Sequence, residues 1–189
     1  MRINKKLNIV IPLVTEKHGT VFIHSTPILR NVFELFYSEL RHVFNDIFEG
    51  NNSKNFILTG PQIAYTSLKQ MSINAKTWEG NSGVKFGLVN EIVRLTSVMI
   101  NSEKGWEQLP FDTIIKREFL DEDEESEVLN ALIFFTSISL VAPKQLKEGF
   151  LEMAGSTRGW ELTSLDSMVF MNGLPTLTMS EATDLKTKA

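Results

Sequence analysis

Six carboxylates in seven residues, Asp121-Glu122-Asp123-Glu124-Glu125-Ser126-Glu127, form the one dense cluster of reactive groups in this chain. Acids at alternate positions resemble a calcium loop, but Ser126 stands where such a loop needs Gly and Leu132 where it needs a bidentate Glu. Two readings remain. The run precedes a strongly apolar segment, so its charges complement the dipole of a helix that starts there. The same charges also form a candidate docking patch for a basic partner, where they would raise association rate and selectivity more than affinity.

Other chemistry is sparse. Cysteine is absent, which removes disulfides, thiolate metal sites and thiol nucleophiles together and favours a reducing compartment. The three histidines are His18, His24 and His42. His18 and His24 could meet in a hairpin, but no carboxylate at metal-ligand spacing accompanies them, and His42 has no partner one helical turn away. No spacing singles out a base beside a Ser or Thr nucleophile. The glycines form neither a dinucleotide fingerprint nor a P-loop, and Gly155-Ser156-Thr157-Arg158-Gly159 carries Thr157 where a nucleophile elbow needs Ser. No catalytic residue, cofactor or metal is expected, and the chain is read as a non-enzyme.

The elements that would carry a binding surface follow from periodicity. Leu7, Ile9 and Ile11 alternate as a strand face does, and Thr20 to His24 is a second β-rich run after the polar Glu16 to Gly19 connection, so an N-terminal β-hairpin is expected over about 7–24. Pro27 opens a helix expected over about 28–48. Its first stripe is Ile28, Val32, Phe36, Leu40, Val43 and Ile47, and its second is Leu29, Phe33, Phe36, Leu40, Phe44 and Phe48. A face that wide either lies deep in the core or covers a partner, so Phe33, Phe36, Phe44 and Phe48 are candidate partner-binding residues. Asp121, Glu122, Asp123, Glu124, Glu125 and Glu127 are the others.

Further helices are expected over about 61–76, 83–101, from Pro110 to about Leu120, 122–142, 144–154 and 163–172. The second rests on Leu88, Ile92, Leu95 and Met99 at helical spacing. Residues 128–142 are apolar all round but too few to span a membrane, and read as a central buried helix. Trp-Glu recurs at 78–79, 106–107 and 160–161 without repeat flanks, so these Trp residues read as anchors at loop–core junctions. The expected fold class is mainly α (α+β): one helical domain over 1–175 with a small N-terminal β-hairpin, and a flexible tail over 176–189.

Length and composition fit this picture. With 189 residues and 42% hydrophobic side chains the chain can bury a full core without staples. The formal charge is −4, and no basic run exceeds Lys5-Lys6, which argues against nucleic-acid binding. The acidity is local, because without residues 121–127 the chain would be net basic. Asn8 and Pro12 interrupt the first apolar run and no small-residue cleavage site follows it, so neither export nor membrane insertion is expected. Asn51-Asn52-Ser53 therefore carries no glycosylation signal that would be used.

The segments Ile3-Asn4-Lys5-Lys6-Leu7-Asn8-Ile9-Val10-Ile11-Pro12 and Val21-Phe22-Ile23-His24-Ser25-Thr26-Pro27-Ile28 resemble a family of tailed-bacteriophage proteins, the tail assembly chaperones. The resemblance continues through Gly87-Leu88-Val89-Asn90-Glu91-Ile92-Val93-Arg94-Leu95-Thr96, Glu103-Lys104-Gly105-Trp106 and Leu120-Asp121-Glu122-Asp123, roughly residues 3–140. It implies a small, mostly helical protein of the bacterial host cytoplasm that keeps the tape-measure protein in solution and helps tail-tube subunits polymerise around it, by binding and without turnover. The alternative is a structural virion component such as a head–tail or tail-completion protein. Self-association stays open.

Overall fold

The computed structural model describes residues 7–49, 56–102 and 105–175. Strand β1 (Asn8–Thr15) and strand β2 (Gly19–Ser25) form the expected hairpin, with Ile11 opposite Ile23 and Thr15 opposite Gly19. Gly19, at φ 66°, supplies the left-handed residue that closes a three-residue hairpin loop. Thr15 Oγ1 accepts the His18 N–H at 3.0 Å across it.

The sheet does not stop at the hairpin, and here the expected fold class is corrected. Strands β3 (Thr96–Ser102), β4 (Gly105–Pro110) and β5 (Glu161–Thr163) complete an antiparallel sheet of order β4-β3-β2-β1-β5, so the fold is α+β. The helix expected over 83–101 is overturned in its second half. A π-helical turn (Lys85–Val89) runs straight into helix α4 (Asn90–Arg94), and the chain then enters β3. Thr96 makes the junction: its Oγ1 donates to Ile92 O at 2.7 Å, closing the last turn of α4, while its main chain already pairs with Ser25 of β2. Met99, the last residue of the apparent helical stripe, lies on the opposite sheet face from Val98 and Ile100.

At the free edge of β1, Pro12 offers no N–H with which a ladder could be extended. There β5 pairs only with Asn8, Ile9 and Val10.

The helix expected over 28–48 is two: α1 (Arg30–Leu35) and α2 (Tyr37–Glu49). The break is Phe36, whose φ of −112° and ψ of 22° leave the helical region. Its ring is thereby turned inward against Gly87, where any Cβ would overlap it. Helix α3 (Phe56–Asn74) begins earlier than expected and runs through Gly60-Pro61. Helix α5 (Phe111–Lys116) is short, α7 (Lys144–Arg158) ends on Gly159 at φ 71°, and α8 (Ser167–Asn172) follows β5.

Helix α6 (Glu122–Val141) occupies the centre, and Val128 to Ser139 are buried without interruption. A helix apolar on every side needs cover on every side, and α2, α3, α7 and β1 supply it. Two of its buried hydroxyls are satisfied within the helix: Thr136 donates to Leu132 O at 2.7 Å and Ser139 to Thr136 O at 3.2 Å. The inner face of the sheet, Ile9, Ile11, Leu13, Val21, Ile23, Val98 and Ile100, joins the same core. Of the Trp residues, Trp78 is buried beside the π-helical turn and Trp160 packs edge-on to Phe134, but Trp106 lies within β4. The tail expected over 176–189 and the Asn51-Asn52-Ser53 motif lie outside the described residues.

Candidate functional site

The acidic run is first of all a helix cap. Asp121 accepts the Glu124 N–H at 2.8 Å and Glu124 Oε2 accepts the Asp121 N–H at 3.0 Å, a reciprocal capping box that satisfies two otherwise orphaned donors. Glu124 Oε1 also accepts the Glu16 N–H of the hairpin turn at 3.3 Å, so one carboxylate ties helix to sheet. Glu125 is partly covered, and burial, with the charge of Glu122 second, pushes its carboxyl above the ordinary value. That leaves Glu122, Asp123 and Glu127 as the exposed charges free of the capping box.

Asp123 and Glu127 line a cleft of about 330 Å³ between β1, α3, α6 and the end of α7. Arg158, Trp160 and Asn130 line it as well. Arg158 donates from Nη2 to Leu58 O, while its buried Nε has no partner among the described residues. Among the described residues no group of three His, Asp or Glu is placed to hold a metal ion, and no helix is long and apolar enough to cross a membrane.

The histidines do not converge. His24 sits on β2 opposite Val10, whereas His18 stacks on Phe119 with ring centroids 3.6 Å apart. Burial there holds the His18 imidazole below its ordinary 6.5; Glu124 opposes this and Lys17 reinforces it. Neutral His18 therefore fits the fold better than the cation. The stability this contributes is complete above pH 6.5 and declines as pH falls through the window down to the lowered folded value. Glu125, raised from 4.5, acts with the opposite sign. A His18→Asn variant isolates the histidine: the stability difference between wild type and variant, followed by urea unfolding, is expected to shrink from pH 7 to pH 5. A difference constant with pH would rule the assignment out.

The four Phe candidates separate by depth. Phe36 is buried, Phe33 and Phe44 are half-buried against the core, and Phe48 is 39% exposed. Phe48 stacks on Phe44 and also meets Phe150 of α7, with centroids 5.9 Å apart. That contact leads to a feature not singled out in the sequence. Leu146, Phe150 and Met153 stand at i, i+4 and i+7 on α7 and so share one face. Leu146 and Met153 are 48% and 51% exposed. The signal was present as helical spacing, but it extends an apolar surface only because Phe150 meets the end of α2.

No protein-family model, curated protein or solved structure matches this chain.

Proposed function

We propose that this chain is a tail assembly chaperone of a tailed bacteriophage, acting in the host cytoplasm by binding the tape-measure protein and tail-tube subunits without turnover. The reading rests on the sequence resemblance over roughly residues 3–140, and one surface observation carries it. The row Leu146, Phe150 and Met153, continued by Phe48, stays at the surface although the core beneath is already filled. An amphipathic client helix with apolar side chains at i, i+4 and i+7 is the natural complement of such a row. Glu122, Asp123 and Glu127, exposed at the start of α6, suit a client with basic segments.

Co-expression with the tape-measure protein tests this. Wild type is expected to hold the client in the soluble fraction. The Leu146→Gln/Met153→Gln variant, altered only at exposed positions, should keep its fold and bind the client about tenfold more weakly. Neutralising Glu122, Asp123 and Glu127 should slow association at low salt and matter little at high salt. Equal client binding by the α7 variant would reject the reading, as would finding the chain at fixed copy number in finished particles.

A further inference from the structure

The two faces of the sheet are closed by different means. Helices cover the inner face. The outer face is crossed by residues 164–175, a strap that leaves β5 at one edge and reaches β4 at the other. Asn8 Nδ2 of β1 donates to Leu165 O at 2.8 Å, and His24 Nε2 of β2 lies 3.0 Å from the same oxygen. From β4, Gln108 Nε2 donates to Ser167 Oγ at 2.8 Å and Trp106 Nε1 to Pro175 O at 2.9 Å. Phe170 lies between these tethers, with its ring centroid 6.1 Å from Phe22 and 6.3 Å from His24. By register, Val10, Phe22, His24 and Met99 share this face, and Val10, His24 and Met99 are 1%, 2% and 0% exposed.

The strap is thus a ligand seen bound in cis, and its chemistry can be read from its contacts. Three of the four tethers end on main-chain carbonyls, the fourth on a hydroxyl, and one aromatic ring supplies the apolar anchor. The strap adds little hold of its own. No residue of α8 is buried, and a six-residue helix does not stand alone in water. Leu165 before α8 and Met168 and Val169 on it are about half exposed. The segment is apolar on both sides, although the described residues cover only one of them.

We propose that the strap is exchangeable, and that the outer sheet face binds the same segment of a second copy of this chain to give a strap-exchanged dimer. Exchange needs no new recognition chemistry, because every tether is remade with an identical partner. The turn Thr163–Asp166 is the hinge, where Thr163 Oγ1 accepts the Leu165 N–H at 3.2 Å. Two hinges meeting there would give the outward stripe cover that the described residues of one chain do not supply. The dimer does not depend on client binding.

Two full-length variants test it. Phe170→Ala removes the strap's anchor and leaves the receiving face intact, whereas His24→Ala/Trp106→Ala damages the face and leaves the strap intact. In a mixture, an intact strap can meet an intact face only between chains. The expected result is a heterodimer of twice the 21.4 kDa chain mass, seen by light scattering and native mass spectrometry, with each variant alone about tenfold less dimeric. Should either variant unfold, isotopically light and heavy wild-type chains, mixed at about 1 mM and cycled through mild denaturant, carry the test by forming mixed-mass dimers. Monomers alone in the wild-type experiment overturn the proposal. So does capture of a synthetic 164–175 peptide by the Phe170→Ala chain without any dimer, which would mark the face as a site for other segments.

Discussion

Replacing Asn130 by Leu is expected to destabilise the fold by about 3 kcal/mol, although the change puts an apolar side chain of similar size into an apolar core. Asn130 is 4% exposed on α6, and every polar atom of its side chain is engaged. Oδ1 accepts the N–H groups of Tyr65 and Thr66 at 2.8 and 3.3 Å. Nδ2 donates to Ser126 O at 2.9 Å. Both N–H groups belong to α3 just beyond Pro61, whose ring crowds the carbonyl four residues back and disturbs the local ladder. Leu would remove the acceptor from these part-buried donors, at about 1–3 kcal/mol for each one stranded. Hydrophobic gain cannot offset this, since Leu adds little area at a site already covered. Urea unfolding measures the loss. A Leu variant within about 0.5 kcal/mol of wild type would show that the α3 N–H groups find partners elsewhere.

Asn130 also illustrates what could be read from sequence. An Asn within Leu129-Asn130-Ala131-Leu132 is visibly out of place, but nothing local says that its partners lie 65 residues upstream. Elements whose determinants are adjacent were legible. The hairpin expected over 7–24 is found at Asn8–Thr15 and Gly19–Ser25, and the helix expected over 122–142 runs Glu122–Val141 with Asp121 as its cap. Residues 96–101 carried two periods at once. Met99 continued the helical row of Leu88, Ile92 and Leu95, while Thr96, Val98 and Ile100 alternated as a strand. Pairing with β2, more than 70 residues earlier, decided for the strand, and helical spacing alone could not foresee it.

The binding surfaces divide in the same way. The breadth of the Phe-rich stripes was legible, but whether that breadth meant core or surface depended on Gly87, which receives Phe36, and on Phe150, which meets Phe48. The strap was hidden from any local pattern. Its tethers span 157 residues from Asn8 to Leu165 and 69 from Trp106 to Pro175, and three of the four end on main-chain carbonyls that every residue possesses.

Gly60→Ala turns on a sign. Read as sequence, Gly60-Pro61 marks the boundary before a helix, yet α3 passes through it, so Gly60 is a helical residue. In a helix Ala is favoured over Gly by about 1 kcal/mol, and propensity alone makes the substitution stabilising. Packing reverses the expectation. A Cβ at Gly60 would lie 2.6 Å from Phe134 Cε2 and 2.7 Å from Ile47 Cγ2, both well inside van der Waals contact. Phe134 and Ile47 are each 1% exposed, so neither has solvent to retreat into. Forcing a methyl group into a filled core typically costs about 1–3 kcal/mol, and with two immobile neighbours the upper end applies. The net expectation is a loss of about 2 kcal/mol, measured by urea unfolding. Phe134→Leu should then cost less in the Gly60→Ala background than in wild type, giving a favourable coupling in a double-mutant cycle. Gly149 on α7 is the control, because a Cβ there meets none of the described residues within 4 Å. At that position propensity acts unopposed, and Gly149→Ala should stabilise by up to about 1 kcal/mol. If both substitutions stabilise alike, α2, α3 and α6 do not close on Gly60. Opposite signs would show that this glycine is retained for the space it leaves to Phe134.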